Sequence, residues 1–263
     1  MKTILVKAWR GGKEELNLGE WFCSWILKGF GYEIEYAVSS KRRREPLIMI
    51  GSGIYDDYIS AILRHAPAVH IWGAGNGEML RKPVSIPASR GKINVHALRG
   101  PLTAALSGAV GEFPILDAAF ALPKLHPLTT NACDEILYVP HHAERGTAKQ
   151  YCKEIGANDW LDVILPHKDA AEALQRIVNA KFVLTGTLHT MIACIAYNVP
   201  CACCTPAIRN MPLKWMDAFA AIGHEMPPRV KNVDEGVKWS KTAKFTPPDP
   251  TALIKAFPHF LAV

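Results

Sequence analysis

The sequence of 263 residues has no apolar run that approaches the roughly 20 residues of a membrane-spanning helix. It also has no stretch typical of a secretory signal, because Met1-Lys2-Thr3 leads directly into the short strand-like run Ile4-Leu5-Val6. These absences argue against a membrane-spanning or secreted protein. We therefore expect a cytoplasmic protein, in which any membrane contact is peripheral and at the inner face.

Cysteine is present but not in a pattern that indicates disulfides or a metal site. The seven cysteines are an odd number in a chain without a secretory signal, so we interpret them as reduced thiols. Cys201, Cys203 and Cys204 cluster near Cys194, but alternation along a strand would send Cys203 and Cys204 to opposite faces. That arrangement is unfavourable for tetrahedral zinc, so we expect no metal.

Acidic residues are slightly outnumbered, which gives a net charge of +6 and a pI of about 8.9. The densest basic run is Lys41-Arg42-Arg43-Arg44, in a polar link between apolar segments. No nucleic-acid-reading motif accompanies it, so a nucleic-acid partner is not expected. The excess charge is consistent with solubility, with an anionic substrate, or with an anionic membrane surface.

Strand-like and helix-like runs alternate along the chain. The predicted strands cover residues 3–9, 33–37, 47–51, 68–72, 92–96, 135–140, 161–165, 181–185 and 200–204. The predicted helices cover residues 20–29, 55–65, 101–107, 145–155, 168–179, 188–198 and 213–222. This alternation predicts an α/β fold with parallel sheets covered by helices.

One segment, residues 121–131, breaks the alternation with two prolines and several polar residues, and we interpret it as a linker. The chain then divides into two Rossmann-like halves, residues 1–122 and 132–263, with the active site in the cleft between them. Near the end, Asp249 and Pro250 are expected as the cap and first residue of a last helix, which is a candidate to pack back on the first half.

A chemically informative turn follows the apolar run that ends at Thr185. Gly186 and Thr187 form the turn, and a helical pattern begins with His189 in its first turn. The N–H groups and dipole at a helix N-terminus favour a phosphate or carboxylate, and histidine can move a proton near neutral pH. The alternative is a capped helix with a structural histidine.

Four further motifs fall where ligands bind in such folds, at the carboxyl ends of predicted strands or at helix entrances. They are Asn17-Leu18-Gly19-Glu20, Trp72-Gly73-Ala74-Gly75-Asn76-Gly77, His96-Ala97-Leu98-Arg99-Gly100-Pro101-Leu102-Thr103 and Val139-Pro140-His141-His142. The glycine spacing from Gly73 to Gly77 differs from a dinucleotide fingerprint, so we interpret it as a turn that lets a ligand approach the backbone. Arg99 could hold an anion through two hydrogen bonds, or form a structural salt bridge.

These motifs, with the Leu116-Asp117 turn, occur in an order that resembles the polysaccharide pyruvyl transferase family, from about residue 3 to residue 222. The resemblance implies a fold similar to the two-Rossmann GT-B architecture. It also implies transfer of a pyruvyl group from phosphoenolpyruvate to a sugar of an exopolysaccharide or its lipid-linked precursor, forming a pyruvate ketal. Two positions depart from the family pattern: Glu20 stands where Asp is usual, and Thr187 where Arg or Ser is frequent.

The chemistry of ketal formation assigns expected roles to these residues. His189 is the candidate acid, and Glu20 or His141 the candidate base. The expected substrate-binding residues are Arg99, Thr185, Gly186, Thr187, Asn17, Gly75, Asn76 and His142. Phosphoenolpyruvate is the expected donor, with no cofactor. A GT-B glycosyltransferase that uses a nucleotide sugar and a non-catalytic saccharide-binding protein remain alternatives.

Overall fold

Two parallel β-sheets organise the chain in the computed structural model, which describes residues 1–8, 15–37, 44–77, 81–166, 169–204 and 211–263. The strands are β1 (Thr3–Val6), β2 (Glu15–Asn17), β3 (Glu33–Tyr36), β4 (Leu47–Ile48), β5 (Val69–Trp72), β6 (Ile93–Ala97), β7 (Ile136–Val139), β8 (Asp159–Trp160), β9 (Ile164–Pro166), β10 (Phe182–Thr185) and β11 (Cys201–Cys203).

The helices are α1 (Leu18–Gly29), α2 (Asp56–Leu63), α3 (Pro101–Ser107), α4 (Leu122–Leu125), α5 (Ala148–Glu154), α6 (Ala170–Asn179), α7 (Leu188–Ala196), α8 (Pro212–Ala220), α9 (Val233–Ala243) and α10 (Thr251–Lys255). Short 3₁₀ turns cover Pro87–Ser89, Ala118–Ala121, His142–Thr147 and His259–Leu261. None of the helices in the described ranges combines the length and the apolar character needed to cross a bilayer.

The first sheet has five strands in the order β3-β1-β4-β5-β6, and all its pairs are parallel. The second has four parallel strands in the order β11-β10-β7-β8. The direction of winding reverses between β1 and β4 in the first sheet and between β7 and β10 in the second. At such a reversal the connections leave on opposite faces, which opens a crevice at the carboxyl ends of the two strands.

Contacts between distant parts of the chain tie the sheets together. The antiparallel pair β2 and β9 joins a segment before α1 to a segment of the second half. The C-terminal segment returns to the first sheet, where the indole of Trp72 donates to the Leu253 carbonyl at 2.9 Å and Phe257 stacks on Phe30. One apolar cluster therefore includes buried residues of both sheets.

The mixed α/β class and the two parallel sheets confirm the fold class predicted from the alternation. The strand predicted at 161–165 was wrong in part. Asp162 accepts a hydrogen bond from the Ile164 amide at 3.0 Å, which makes a turn there. The parallel strand β8 precedes that turn and the antiparallel β9 follows it.

Other predicted bounds also need correction. The helix predicted from residue 145 begins as the 3₁₀ turn His142–Thr147, because His141 and Glu144 form a capping box. The first two residues of the predicted linker are structured, because Ala121 ends the 3₁₀ turn Ala118–Ala121 and the buried Leu122 begins α4. Pro250 is the N-cap of α10 rather than its first residue, and Asp249 accepts from the Thr251 amide at 3.1 Å. Trp9, residues 41–43 and Lys168, which also carried predictions, lie outside the described residues.

Candidate functional site

A cleft of about 400 Å³ opens at the winding reversals of both sheets. The first half contributes residues that follow β1 and β4 and the start of α1, whereas the second contributes residues that follow β7 and β10 and the start of α8. The cleft is lined by Lys7, Ala8, Asn17, Glu20, Ile48, Ile50, Gly51, Ser52, Gly53, Tyr55, Tyr58, His141, His142, Thr187, Leu188, His189, Met211 and Lys214. Six of the predicted site residues are therefore brought together: Asn17, Glu20, His141, His142, Thr187 and His189.

His189 reaches the cleft because the turn before it fixes the start of α7. Thr187 is the N-cap, and its hydroxyl oxygen accepts from the Thr190 amide at 3.2 Å. Thr185 donates to the Val139 carbonyl at 3.0 Å, and the Gly186 amide donates to the same carbonyl at 2.9 Å. The threonine hydroxyls thus hold the turn together. Thr185 and Gly186, predicted as ligand contacts, are buried behind the cleft lining.

Asp117 lies behind His189 and is fully buried. It caps the 3₁₀ turn Ala118–Ala121, and Oδ1 accepts from the Ala119 amide at 2.9 Å. Its Oδ2 lies 3.8 Å from Nε2 of His189, and among the described residues neither atom has a hydrogen-bond partner. The two atoms face each other at a distance slightly too long for a hydrogen bond.

Burial favours the uncharged form of both His189 and Asp117. Burial, with the positive charges of Lys214 and Arg99, lowers the pKa of His189 to about 3. Burial raises the pKa of Asp117 to about 7, although Arg99 and the Ala119 amide act in the opposite direction. At neutral pH the imidazole of the protein alone is therefore uncharged, and Asp117 is close to half-protonated. An anion beside His189 would favour its charged form.

Gly19 permits the close packing of α1 against His189. A Cβ atom at residue 19 would lie 2.4 Å from Nδ1 of His189, so a larger residue would displace the ring. Asn17 caps α1, and its Oδ1 accepts from the Gly19 amide at 3.0 Å. Glu20 follows in the first turn, where it is only 8% exposed. The N-terminus of α1 therefore places a carboxylate and an imidazole in one cleft.

His141 and His142 also line the cleft, with their ring centroids 4.0 Å apart. Burial, with His142 and Lys214, lowers the pKa of His141 to about 4, and burial and Lys214 also lower that of His142. Nδ1 of His141 accepts from the Ala143 amide at 3.4 Å. The neutral ring therefore carries its proton on Nε2, which makes it a donor rather than a base.

Arg99 does not reach the cleft lining. It is fully buried, and its Nε donates to Oδ2 of Asp217 at 3.1 Å. Other guanidinium nitrogens donate to the Gly51 carbonyl at 3.4 Å, to Ser52 Oγ at 3.3 Å and to the Asn76 carbonyl. Arg99 thus forms the structural salt bridge that the sequence left open. It supports the wall of the cleft from behind.

Gly75 and Asn76 belong to the same buried network. A Cβ atom at residue 75 would lie 2.4 Å from Cζ of Arg99, so this glycine makes room for the guanidinium rather than for a ligand. The Asn76 amide donates to Thr103 Oγ1 at 2.8 Å, and Asn76 is 2% exposed. Neither residue lines the cleft.

Sequence reasoning did not assign Asp117, Lys214 or Asp217 to the site, although each lies in or behind the cleft lining. Asp117 stood in a recognised motif, and its position inside an apolar run was the available signal. Lys214 and Asp217 lie in an ordinary amphipathic helix pattern that gave no signal. Among the described residues, no group of three or more His, Cys, Asp or Glu side chains is placed to hold a metal ion.

Two comparisons with known proteins identify similar proteins of exopolysaccharide biosynthesis. A sequence model of the polysaccharide pyruvyl transferase family matches residues 115–207, which include Asp117, His141, His142 and His189. The succinoglycan biosynthesis protein ExoV of Rhizobium meliloti (strain 1021) is 25% identical over 221 residues, which cover 82% of this chain and 63% of that protein. This chain therefore matches less than two thirds of the length of that curated relative.

Among solved structures, a functionally uncharacterised protein of Klebsiella pneumoniae aligns over 79% of this chain and 85% of its own, with 13% identity and a TM-score of 0.49. The family match spans the turn that carries His189, and the similarity to ExoV extends over most of the chain. On these two matches, the chain is similar to the polysaccharide pyruvyl transferase family, with the family model confined to residues 115–207.

Proposed function

We propose that this chain transfers a pyruvyl group from phosphoenolpyruvate to a sugar of an exopolysaccharide or of its lipid-linked precursor, and forms a pyruvate ketal. The observation that carries the proposal is the convergence in one cleft of Glu20, the His189–Asp117 pair and the N-terminus of α7. The family match and the name of the R. meliloti relative support the exopolysaccharide context.

The proposal includes a GT-B-like arrangement, in which residues 1–122 and 132–263 face each other across the cleft. The carboxyl ends of the strands at both winding reversals line this cleft, which supports a shared active site. A net charge of +6 is consistent with peripheral binding to an anionic membrane surface, where a lipid-linked acceptor would be presented.

The reaction requires two proton transfers and the loss of phosphate. A proton adds to the methylene carbon of phosphoenolpyruvate, and one sugar hydroxyl oxygen bonds to the adjacent carbon while losing its proton. Phosphate then leaves with the electrons of its C–O bond, and a second hydroxyl oxygen bonds to the same carbon. The two hydroxyl protons end on the new methyl group and on the released phosphate, so atoms and charges balance.

We assign the acid role to His189. Its imidazole is neutral in the protein alone because burial and nearby positive charge lower its pKa to about 3. A bound phosphate or carboxylate raises the proton affinity of a neighbouring imidazole. Asp117, on the far side of the ring, would stabilise the resulting imidazolium, as the third group does in other acid–base constellations.

We assign the base role to Glu20 rather than His141. Glu20 lies in the first turn of α1 and lines the cleft, where its carboxylate can accept a proton from a sugar hydroxyl. The neutral ring of His141 presents an N–H to the cleft, so we assign it and His142 to hydrogen bonding with substrate oxygens. Asn17 and Thr187 shape the cleft by capping α1 and α7.

The test compares ligands and then products. Thermal stabilisation by phosphoenolpyruvate but not by UDP or GDP is expected, because the cleft is proposed to hold one small donor that carries a carboxylate and a phosphate. Incubation with phosphoenolpyruvate and a panel of oligosaccharide acceptors should release phosphate and give the methyl NMR signal of a ketal. Stabilisation by a nucleotide alone would favour a glycosyltransferase, and saccharide binding without turnover would favour a non-catalytic protein.

A further inference from the structure

We propose that Lys214 is the residue that binds the anionic group of the donor in the cleft. This inference rests on the function proposed above and names a contact that the sequence analysis assigned to Arg99. Lys214 lies in the first turn of α8, is half-buried, and lines the cleft together with His141, His142 and His189.

Two other cations lie in or behind the cleft lining. Arg99 is fully buried, and Asp217, Gly51, Ser52 and Asn76 surround its guanidinium. Lys7 is the other lysine among the described cleft residues, and its Nζ donates to the Ala37 carbonyl at 3.2 Å. Of these three cations, Lys214 is the one that lines the cleft and also acts on His141, His142 and His189, so it is best placed for a ligand between α7 and the His141 turn.

The charge of Lys214 acts on three histidines from two different segments. It contributes to the lowered pKa of His141, His142 and His189. Lys214 and the three rings line the same cleft. An anion bound to Lys214 would therefore also meet the histidines, and neutralising the lysine would raise their proton affinity.

The helix that carries Lys214 is held firmly. Asp217, three residues later, is fully buried and accepts from the Thr103 amide at 2.9 Å and from Thr103 Oγ1 at 2.6 Å, in addition to its ion pair with Arg99. A Cβ atom at residue 100 would lie 2.1 Å from the Asp217 carbonyl oxygen, so α8 packs directly on the entrance of α3. These contacts fix the position of Lys214 relative to the first half.

The experiment measures phosphoenolpyruvate binding by calorimetry to the wild type and to Lys214→Met, Lys214→Arg and Lys238→Gln. Methionine keeps the aliphatic stem and removes the charge, so its dissociation constant should rise about ten- to a hundredfold, as for loss of a charge-assisted contact. Arginine should remain within a few fold of wild type. Lys238, exposed on α9 and outside the cleft, should have no effect.

The number of protons taken up on phosphoenolpyruvate binding is a second, independent measurement. Binding to wild type in buffers of different ionisation enthalpy should show protons taken up near neutral pH, and Lys214→Met should reduce this uptake. Histidine NMR titrations of the variant without ligand should move toward ordinary pKa values, which a purely structural role would not produce. Lys214→Gln repeats these measurements if the methionine variant does not fold.

The outcomes separate the two proposals. Wild-type protein that fails to bind millimolar phosphoenolpyruvate, with or without acceptor, overturns the proposed function and this contact with it. If wild type binds phosphoenolpyruvate and Lys214→Met and Lys214→Gln bind it with the same dissociation constant, the Lys214 contact is overturned but the proposed function is not. Unchanged histidine titrations in these variants also contradict the placement of Lys214 beside the histidines.

Discussion

His189 is the side chain on which the proposed chemistry depends most. His189→Gln keeps polarity and approximate size at the start of α7 but cannot transfer a proton. We expect turnover to fall by about 10²–10⁴, as is usual on loss of a general acid. Phosphoenolpyruvate affinity and melting temperature should stay close to wild type, because Thr187 still caps the helix. Steady-state rates, calorimetry and thermal melts check this.

His65→Gln is a matched control, since His65 is exposed near the end of α2 and does not line the cleft. Normal turnover by His189→Gln would reassign His189 to binding or packing and direct the search for the acid to His141 or His142. Failure of His189→Gln to fold would favour the structural histidine that the sequence left open.

Asp117 gives a prediction about pH dependence. Its pKa is raised from 3.8 to about 7 in the folded protein, chiefly by burial. Between these values the folded state retains a proton that the unfolded state has released, so the carboxyl reduces stability progressively as pH rises from about 4 to 7 and fully above that. Asn cannot ionise and keeps the hydrogen bond from the Ala119 amide.

Asp117→Asn should therefore gain stability relative to wild type as pH rises from 5 to 8, by about 2.5 kcal/mol over that range. The lowered pKa of His189 destabilises the folded protein at pH values below the ordinary histidine pKa. His189 is present in both proteins, so this effect cancels in the comparison. Urea unfolding at several pH values measures the difference. A pH-independent difference would contradict the raised pKa of Asp117.

Helix α1 acts on the site through the closeness of its first turn to α7. Gly19→Ala would improve helix propensity by about 1 kcal/mol in an open helix. Here, however, the new Cβ would lie 2.4 Å from Nδ1 of His189, so the ring or the helix must move. We expect a loss of turnover of tenfold or more, because a displacement of about 1 Å is costly to a positioned catalytic group.

Gly146→Ala is the matched control. Gly146 lies in the 3₁₀ turn His142–Thr147, and no atom lies within 4 Å of where its Cβ would be. Rate measurements and a histidine NMR spectrum should show a perturbed ring in Gly19→Ala only. Full activity of Gly19→Ala with an unchanged His189 signal would show that the contact between α1 and the imidazole does not matter for catalysis.

At the scale of the whole molecule, the buried Arg99–Asp217 pair joins α8 to the start of α3. Arg99→Ala leaves Asp217 buried without its charged partner, so we expect a loss of unfolding free energy of about 3–5 kcal/mol. Arg99→Met combined with Asp217→Asn should recover part of this loss, because the neutral amide leaves no unpaired charge and its oxygen can still accept from the Thr103 amide. Denaturant unfolding measures both effects.

Arg64→Ala, an exposed change at the end of α2, serves as the control. If Arg99→Ala is as stable as wild type and yet binds phosphoenolpyruvate far more weakly, Arg99 contacts the donor as the sequence first indicated. The stability measurement therefore distinguishes a supporting role from a binding role.

The sequence by itself determined the features that depend on neighbouring residues. Alternating apolar runs predicted most strands and helices, and the turn at Gly186 and Thr187 predicted where α7 begins. These properties follow from backbone periodicity and from hydrogen bonds between residues a few positions apart. The parallel pairing of strands also placed Glu20, His141 and His189 near one cleft.

Only the tertiary structure decided which polar side chains face the cleft. Arg99 is separated by 118 residues from Asp217, the partner that draws it into the interior, and no local pattern reveals such a pair. The same holds for Asp117 behind His189, and for Lys214, which α8 brings to the cleft. Burial and charge neighbourhood depend on how distant segments pack, and they set both the pKa values and the surfaces open to a ligand.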